Sequence, residues 1–292
     1  MIKLIASDMD GTLLDEKMGI SATNATTIKT CQSMGIEFIV ATGRARTESL
    51  SIVENAGLKT SFINLNGAMV YDIDGKLVVE KAIPKNDVMM LTQLLKQEKF
   101  YFELVAKDGA YSENKIARIQ SIADLLVDLN RSLSFKQAVS IAGASNEVMK
   151  INYVDDLTDL ITQDDVSIMK VIVFDHRGPA VLDDLSQKVH QIGNLITTSS
   201  SSFNLEINQK EAQKGIALLD YAQQKHISPN EIMAVGDNLN DESMIRLAGL
   251  GVAMGNAVTP IKNIAQYVTT KNTEDGVAHA INHFILEPSQ TK

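Results

Sequence analysis

The sequence predicts an α/β protein: a doubly wound parallel sheet, interrupted by an inserted α+β domain. Three observations lead there. Short apolar, β-rich runs alternate with helical segments near both ends of the chain. These runs lack strict apolar/polar alternation and end in polar or glycine residues, the pattern of parallel strands buried on both faces. A middle stretch of different texture, residues 84–206, separates the first group from the last.

In chain order, the core strands are expected at residues 2–7, 37–42, 61–66, 233–237 and 250–254. A helix is expected over 21–34, opened by Ser21 as its N-cap and stopped before Gly35. Residues 68–71 and 76–80 flank Asp72-Ile73-Asp74-Gly75, whose Asp-Gly pair signals a hairpin. Pro84 marks a boundary. Beyond it, strands are expected at 100–105, 168–174, 195–198 and 204–207, with helices at 86–99 and 179–192, forming an antiparallel sheet. The serine run at 199–202 reads as a turn. The first domain resumes near 207, with helices at 215–225, 241–248 and 274–284; Ile216, Leu219 and Ala222 share one face of the first of these. The domain plan is therefore 1–83 with 207–292, and 84–206 inserted.

Composition narrows the function. The chain has 292 residues, 27 Lys+Arg against 36 Asp+Glu, and a formal charge of −9. At 45% hydrophobic and 22% charged residues it can bury a core. No basic run is present to neutralise a nucleic-acid backbone, so no nucleic-acid partner is expected. No apolar run approaches the ~18 residues of a membrane span, and the first residues read as a strand and not a signal peptide. Cys31 is the only cysteine. It sits in a helical context and reads as a buried structural thiol. A cytoplasmic setting is expected.

Chemistry gathers at strand ends. Asp8-Met9-Asp10-Gly11-Thr12 follows the first apolar run. In an open α/β sheet, ligands bind beyond the carboxyl ends of the strands. Gly11 allows a sharp turn, so two carboxylates can face one cavity. Such a pair suits a hard cation such as Mg²⁺ or acid/base work. Ala41-Thr42-Gly43-Arg44 ends the second run, where a hydroxyl and free N–H groups before a helix suit an anion site, and equally an ordinary strand-to-helix turn with a Thr cap. Gly236-Asp237-Asn238-Leu239-Asn240-Asp241 ends a later run. There Asp237 offers a metal carboxylate, Asn240 a phosphate hydrogen bond, and Asp241 a ligand or an orienting group. Lys214 stands at a helix start, where a cation opposes the helix dipole unless an anion faces it.

Other patterns carry less. Gly249-Leu250-Gly251-Val252-Ala253-Met254-Gly255 misses the spacing of a dinucleotide fingerprint by one residue. His279 and His283 share a helix face without a third ligand, so no zinc site is expected. Lys170 and Phe100-Tyr101-Phe102-Glu103 are as consistent with packing as with substrate contact.

Together, the three strand ends and the lysine resemble the haloacid dehalogenase superfamily of phosphohydrolases, and in particular its Cof-type branch (subclass IIB), with a large cap inserted after the third core strand. Asp8-Met9-Asp10-Gly11-Thr12 matches the first motif, Thr42-Gly43-Arg44 the second, Lys214-Gly215 the third and Gly236-Asp237-Asn238-Leu239-Asn240-Asp241 the fourth. Asn66-Gly67-Ala68, Gly255-Asn256-Ala257 and Glu274-Asp275-Gly276 also resemble this branch. Gln213 departs from it, standing before Lys214 where a small residue is expected.

The resemblance implies a haloacid-dehalogenase-like core with an inserted cap, and a Mg²⁺-dependent phosphatase acting through an aspartyl-phosphate. Asp8 would be the nucleophile and Asp10 the acid and base. Asp8, the backbone carbonyl of Asp10, Asp237 and Asp241 would hold Mg²⁺. Thr42, Gly43, Arg44, Lys214 and Asn240 would bind the phosphoryl group. The expected partner is a small phosphorylated metabolite, such as a sugar phosphate or pyridoxal phosphate. Phosphoryl transfer or mutase chemistry on the same site, or a non-catalytic phosphometabolite-binding regulator, are the alternatives. Oligomeric state is left open.

Overall fold

The structure is a computed structural model; it describes residues 1–130, 132–199 and 203–287. In chain order the strands are β1 (Leu4–Asp8), β2 (Glu37–Ala41), β3 (Ser61–Asn64), β4 (Met69–Tyr71), β5 (Leu77–Glu80), β6 (Tyr101–Ala106) and β7 (Ala110–Ser112). They continue as β8 (Asn152–Tyr153), β9 (Ile168–Phe174), β10 (Leu195–Thr198), β11 (Asn204–Gln209), β12 (Ile232–Gly236), β13 (Leu250–Ala253) and β14 (Tyr267–Val268). Contacts divide the chain into two compact units. One joins Met1–Lys81 to Glu211–Lys292; the other is Ala82–Lys210.

The first unit is the α/β fold that the sequence predicts. Its eight-stranded sheet runs β14-β13-β12-β1-β2-β3-β4-β5. The pairs from β14 to β3 are parallel, and β4 and β5 add antiparallel at one edge as the expected hairpin. Every residue of β1 and β12 is buried, which explains the absence of alternation in their sequences. Ile5, Phe38, Ile63, Met233 and Val252 meet Ile28, Leu218 and Tyr221 from the flanking helices in one core. Cys31 is buried there, and burial pushes its thiol up to about 11. Ser21 caps the helix Ala22–Ser33 by accepting from the N–H of Asn24.

The expected helix over 274–284 is not continuous. Asn272–Glu274 forms a 3-10 turn, Asp275 takes a left-handed conformation at φ +56°, and the helix proper is Gly276–Ile281. A wider turn, Asn282–Leu286, follows it. The expected helix over 241–248 likewise begins with a 3-10 turn, Leu239–Asp241, before Glu242–Leu247.

The second unit carries a six-stranded sheet in the order β10-β11-β9-β6-β7-β8. It is antiparallel except for the short parallel pair of β7 with β8. Phe102, Leu104, Val171, Val173, Leu205 and Ile207 pack against Leu91, Leu95, Leu182 and Leu185 of two helices. The alternate residues Glu103, Lys170 and Glu206 are buried as ion pairs, Glu103 with Arg118 at 3.1 Å and Lys170 with Glu206 at 3.5 Å. Residues 207–209, expected to open the return to the first domain, complete β11. The helices Lys115–Leu129 and Phe135–Gly143 lie in a stretch, 107–153, for which no element is expected from the sequence. Their caps were legible: Asn114 accepts from Ala117 N–H, and Ser134 exchanges a capping box with Gln137. Of the serine run, residues 200–202 lie outside the described residues. Among the described residues, no helix is long and apolar enough to cross a membrane.

Candidate active site

Strand order brings the first unit's chemistry together. β1 lies between β12 and β2, in parallel register. Asp8 ends β1, Thr42 follows β2, and Asp237 follows β12, so all three sit at the carboxyl edge of neighbouring strands. The chain leaves β1 through the turn Met9–Leu13, where Gly11 takes φ +78°. A Cβ on Gly11 would lie 2.6 Å from Asp237 Oδ2. Glycine is therefore required twice here, for the backbone angle and for the approach of the two loops.

Lys214 opens the helix Lys214–Gln224 and is fully buried. Its ammonium donates to Asp8 Oδ1 at 2.6 Å and to Asp241 Oδ1 at 2.7 Å. The unfavourable end of the helix dipole is thus offset by two carboxylates. The other oxygen of Asp241 accepts from the backbone N–H groups of Asp237 (2.9 Å) and Asn238 (3.0 Å). Asp241 therefore orients both Lys214 and the Asp237 loop. Thr12 donates its hydroxyl to Asp237 Oδ1 at 2.8 Å. Gly215 lets this helix pack closely on Glu242–Leu247: a Cβ there would lie 2.3 Å from the carbonyl carbon of Ser243.

The electrostatics follow from burial. It pushes the Asp8 carboxyl well above the usual range, the charge of Asp241 adds to this, and Lys214 opposes it. Asp237 is pushed up to about 6, by burial first and then by Asp241. Burial works against the Lys214 charge, but Asp241 and Asp8 outweigh it and hold the ammonium above its ordinary range. Asp8, Asp237 and Asp241 each offer a carboxylate oxygen, and these lie within 4.8 Å of one another. Three carboxylates, two of them bonded to one ammonium, make an oxygen-only, electron-rich set. That chemistry fits a hard divalent cation.

The other residues singled out in the sequence are placed as follows. The carboxylate of Asp10 is not in that group. It turns outward to Arg44, which donates from Nε to Oδ2 at 2.7 Å and from Nη2 to Oδ1 at 2.5 Å. This bond raises the Arg44 guanidinium. Thr42 is buried, and its hydroxyl accepts from the Arg44 N–H at 3.2 Å across Gly43. Asn240 reaches Asn66 Oδ1 at 3.5 Å, and Asn66 has φ +59°. His279 and His283 belong to no cluster of metal-ligating side chains among the described residues. Lys170 is closed into its pair with Glu206. Two contacts lie beyond the sequence motifs: the Thr12 bond to Asp237, and Ser243, whose hydroxyl accepts from Gly215 N–H at 2.9 Å. Neither contact has a local signal, because the partners lie far apart in the chain.

Comparison with known proteins agrees with this fold. The family described as haloacid dehalogenase-like hydrolase matches residues 5–281. Phosphatase YwpJ of Bacillus subtilis (strain 168) is 34% identical over 289 residues, covering 97% of this chain and 100% of that protein. The 5-amino-6-(5-phospho-D-ribitylamino)uracil phosphatase YcsE of the same organism is 30% identical, covering 98% and 96%. A solved haloacid dehalogenase-like hydrolase from B. subtilis superposes with a TM-score of 0.84 at 34% identity, over 97% of this chain and 100% of that one. The fold is thus an α/β sheet with an acidic centre at its strand ends. The chain belongs to the haloacid dehalogenase-like hydrolases, and within them to the phosphatases.

Proposed function

We propose that the protein hydrolyses small phosphorylated metabolites through an aspartyl-phosphate on Asp8, with Mg²⁺ as its cofactor. The observation that carries this reading is the buried Lys214, bonded to both Asp8 and Asp241 beside Asp237. An anionic nucleophile must approach a phosphate dianion. At ~4 Å and an effective dielectric near 20, each like-charge pair costs about 4 kcal/mol. Lys214 sits where it lowers that cost.

In this reading an Asp8 carboxylate oxygen attacks phosphorus, and the bond to the leaving oxygen breaks. Asp10, released from Arg44 and protonated from solvent, gives its proton to that oxygen, and the alcohol departs. Asp10, now ionised, takes a proton from water, whose oxygen attacks phosphorus and frees Asp8 and inorganic phosphate. Thr42, Gly43, Arg44, Lys214 and Asn240 bind the phosphoryl oxygens. Asp8, Asp237 and Asp241, with the backbone carbonyl of Asp10, would hold Mg²⁺, which when bound neutralises charge on the phosphoryl group. We assign residues 82–210 as the inserted cap.

The similarity to YcsE favours a sugar or sugar-alcohol phosphate as substrate. The test is phosphate release from an aryl phosphate and from a panel of phosphorylated metabolites. Release with Mg²⁺ that is lost with EDTA and with Asp8→Asn supports the reading. Wild-type turnover by Asp8→Asn overturns it.

A further inference from the structure

Asn256, in Gly255-Asn256-Ala257, has no part in the chemistry above, yet it touches the nucleophile turn. Its loop follows β13 and is tied to the loop that carries Asp237. Met254 N–H donates to the Gly236 carbonyl at 3.0 Å, and Val258 N–H to the Asp237 carbonyl at 2.9 Å. From the same loop, the Asn256 side-chain amide donates to the Gly11 carbonyl at 2.7 Å. Its oxygen accepts from the Asn272 N–H at 3.0 Å. Asn272 in turn donates its side-chain amide to the Leu14 carbonyl at 2.9 Å. The carbonyls of Gly11 in the turn and of Leu14 just after it are thus each taken by an asparagine amide, and the two asparagines are bonded to each other.

We propose that Asn256, braced by Asn272, is a positioning residue that sets the spacing between the Asp8–Thr12 turn and Asp237. This rests on the proposed reading of the site. The position it holds is a sensitive one. Gly11 is where the chain reverses at φ +78°, and a Cβ there would fall 2.6 Å from Asp237 Oδ2. A slip of the Gly11 carbonyl moves the Asp10 backbone on one side and Thr12, which holds Asp237, on the other. Misplacement by about an ångström at a reacting centre is enough to cost large factors in rate. The Asn256 side chain is exposed, so its bond contributes little to folding; its consequence is geometry. A neutral amide also does this without adding a fourth carboxylate near the cluster.

The experiment compares the full chain with Asn256→Ala and Asn256→Asp. The aspartate keeps the bond from Asn272 but sets an oxygen against the Gly11 carbonyl. Mg²⁺ affinity is measured by calorimetry without substrate, kcat and KM with an aryl phosphate, and Tm by circular dichroism. Both variants are expected to lose about tenfold in Mg²⁺ affinity and in kcat, with KM within about twofold and Tm close to wild type. Mg²⁺ affinity and kcat within about twofold of wild type in both variants overturn the proposal. So does a loss that disappears on cooling a variant whose Tm has dropped, since that marks a merely structural residue. Asp8→Asn is run alongside. If it keeps wild-type turnover, the reading of the site fails and the positioning role falls with it. If it is dead while both Asn256 variants match wild type, the positioning role alone fails.

Discussion

Arg44 grips Asp10 with two parallel bonds, Nε to Oδ2 at 2.7 Å and Nη2 to Oδ1 at 2.5 Å, although the residues are 34 apart in sequence. Asp10 lies two residues from Asp8, but its carboxylate points to this arginine and not to Lys214. In the proposed reaction Asp10 must meet the leaving oxygen, so Arg44 sets the orientation from which it starts.

Replacing Arg44 therefore acts on turnover. Arg44→Ala is expected to lower kcat/KM by roughly tenfold, because the site loses a residue assigned to the phosphoryl oxygens and Asp10 loses its tether. Arg44→Lys is expected to recover only part of this, since an ammonium cannot reproduce the planar two-point fork. Steady-state kinetics on an aryl phosphate decide it; equal rates for alanine and wild type would contradict the assignment.

Lys214 is the next test. It is fully buried and is bonded to both Asp8 and Asp241. Lys214→Met keeps much of the volume but leaves those carboxylates facing each other. A loss of about 3–5 kcal/mol in stability is expected, as when one partner of a buried pair is removed. Denaturant unfolding measures it. Activity should be abolished, and added Mg²⁺ should restore part of the stability by supplying the missing positive charge.

The acidic cluster also predicts how stability depends on pH when metal is chelated. Asp237 is raised to about 6 in the folded protein, and Asp8 is raised as well. In the unfolded chain an aspartate titrates near ~3.9. Between these values the folded state holds a proton that the unfolded state has released. The contribution of these two carboxylates to stability therefore falls as pH rises from about 4 through 6, the reverse of a salt-bridged carboxylate. Thermal unfolding in EDTA across this range should show Tm dropping. Saturating Mg²⁺ should reduce the drop, because a cation favours the ionised carboxylates. A Tm that rises over the same window in EDTA would contradict the arrangement.

The local features were readable where their cause is local. Ser21 caps its helix because a hydroxyl before a helical run finds the third N–H on. The apolar runs ending at Asp8, Ala41 and Gly236 became parallel strands because burial on both faces demands unbroken apolarity. The helices within 107–153 lie outside the expected elements although they carry caps, and the break at Asp275 depends on a left-handed residue that an apolar pattern does not register.

The sequence alone determined that acidic and hydroxyl residues end several strands and that a lysine opens a helix, since periodicity and punctuation are short-range properties of the chain. Only the tertiary structure decided which of these side chains meet. Asp8 and Asp10, two residues apart, go to Lys214 and to Arg44 respectively, while Thr12 holds Asp237 across 225 residues. The physical reason is that strand order and a reversal at Gly11 set those directions, and both depend on how distant segments pack.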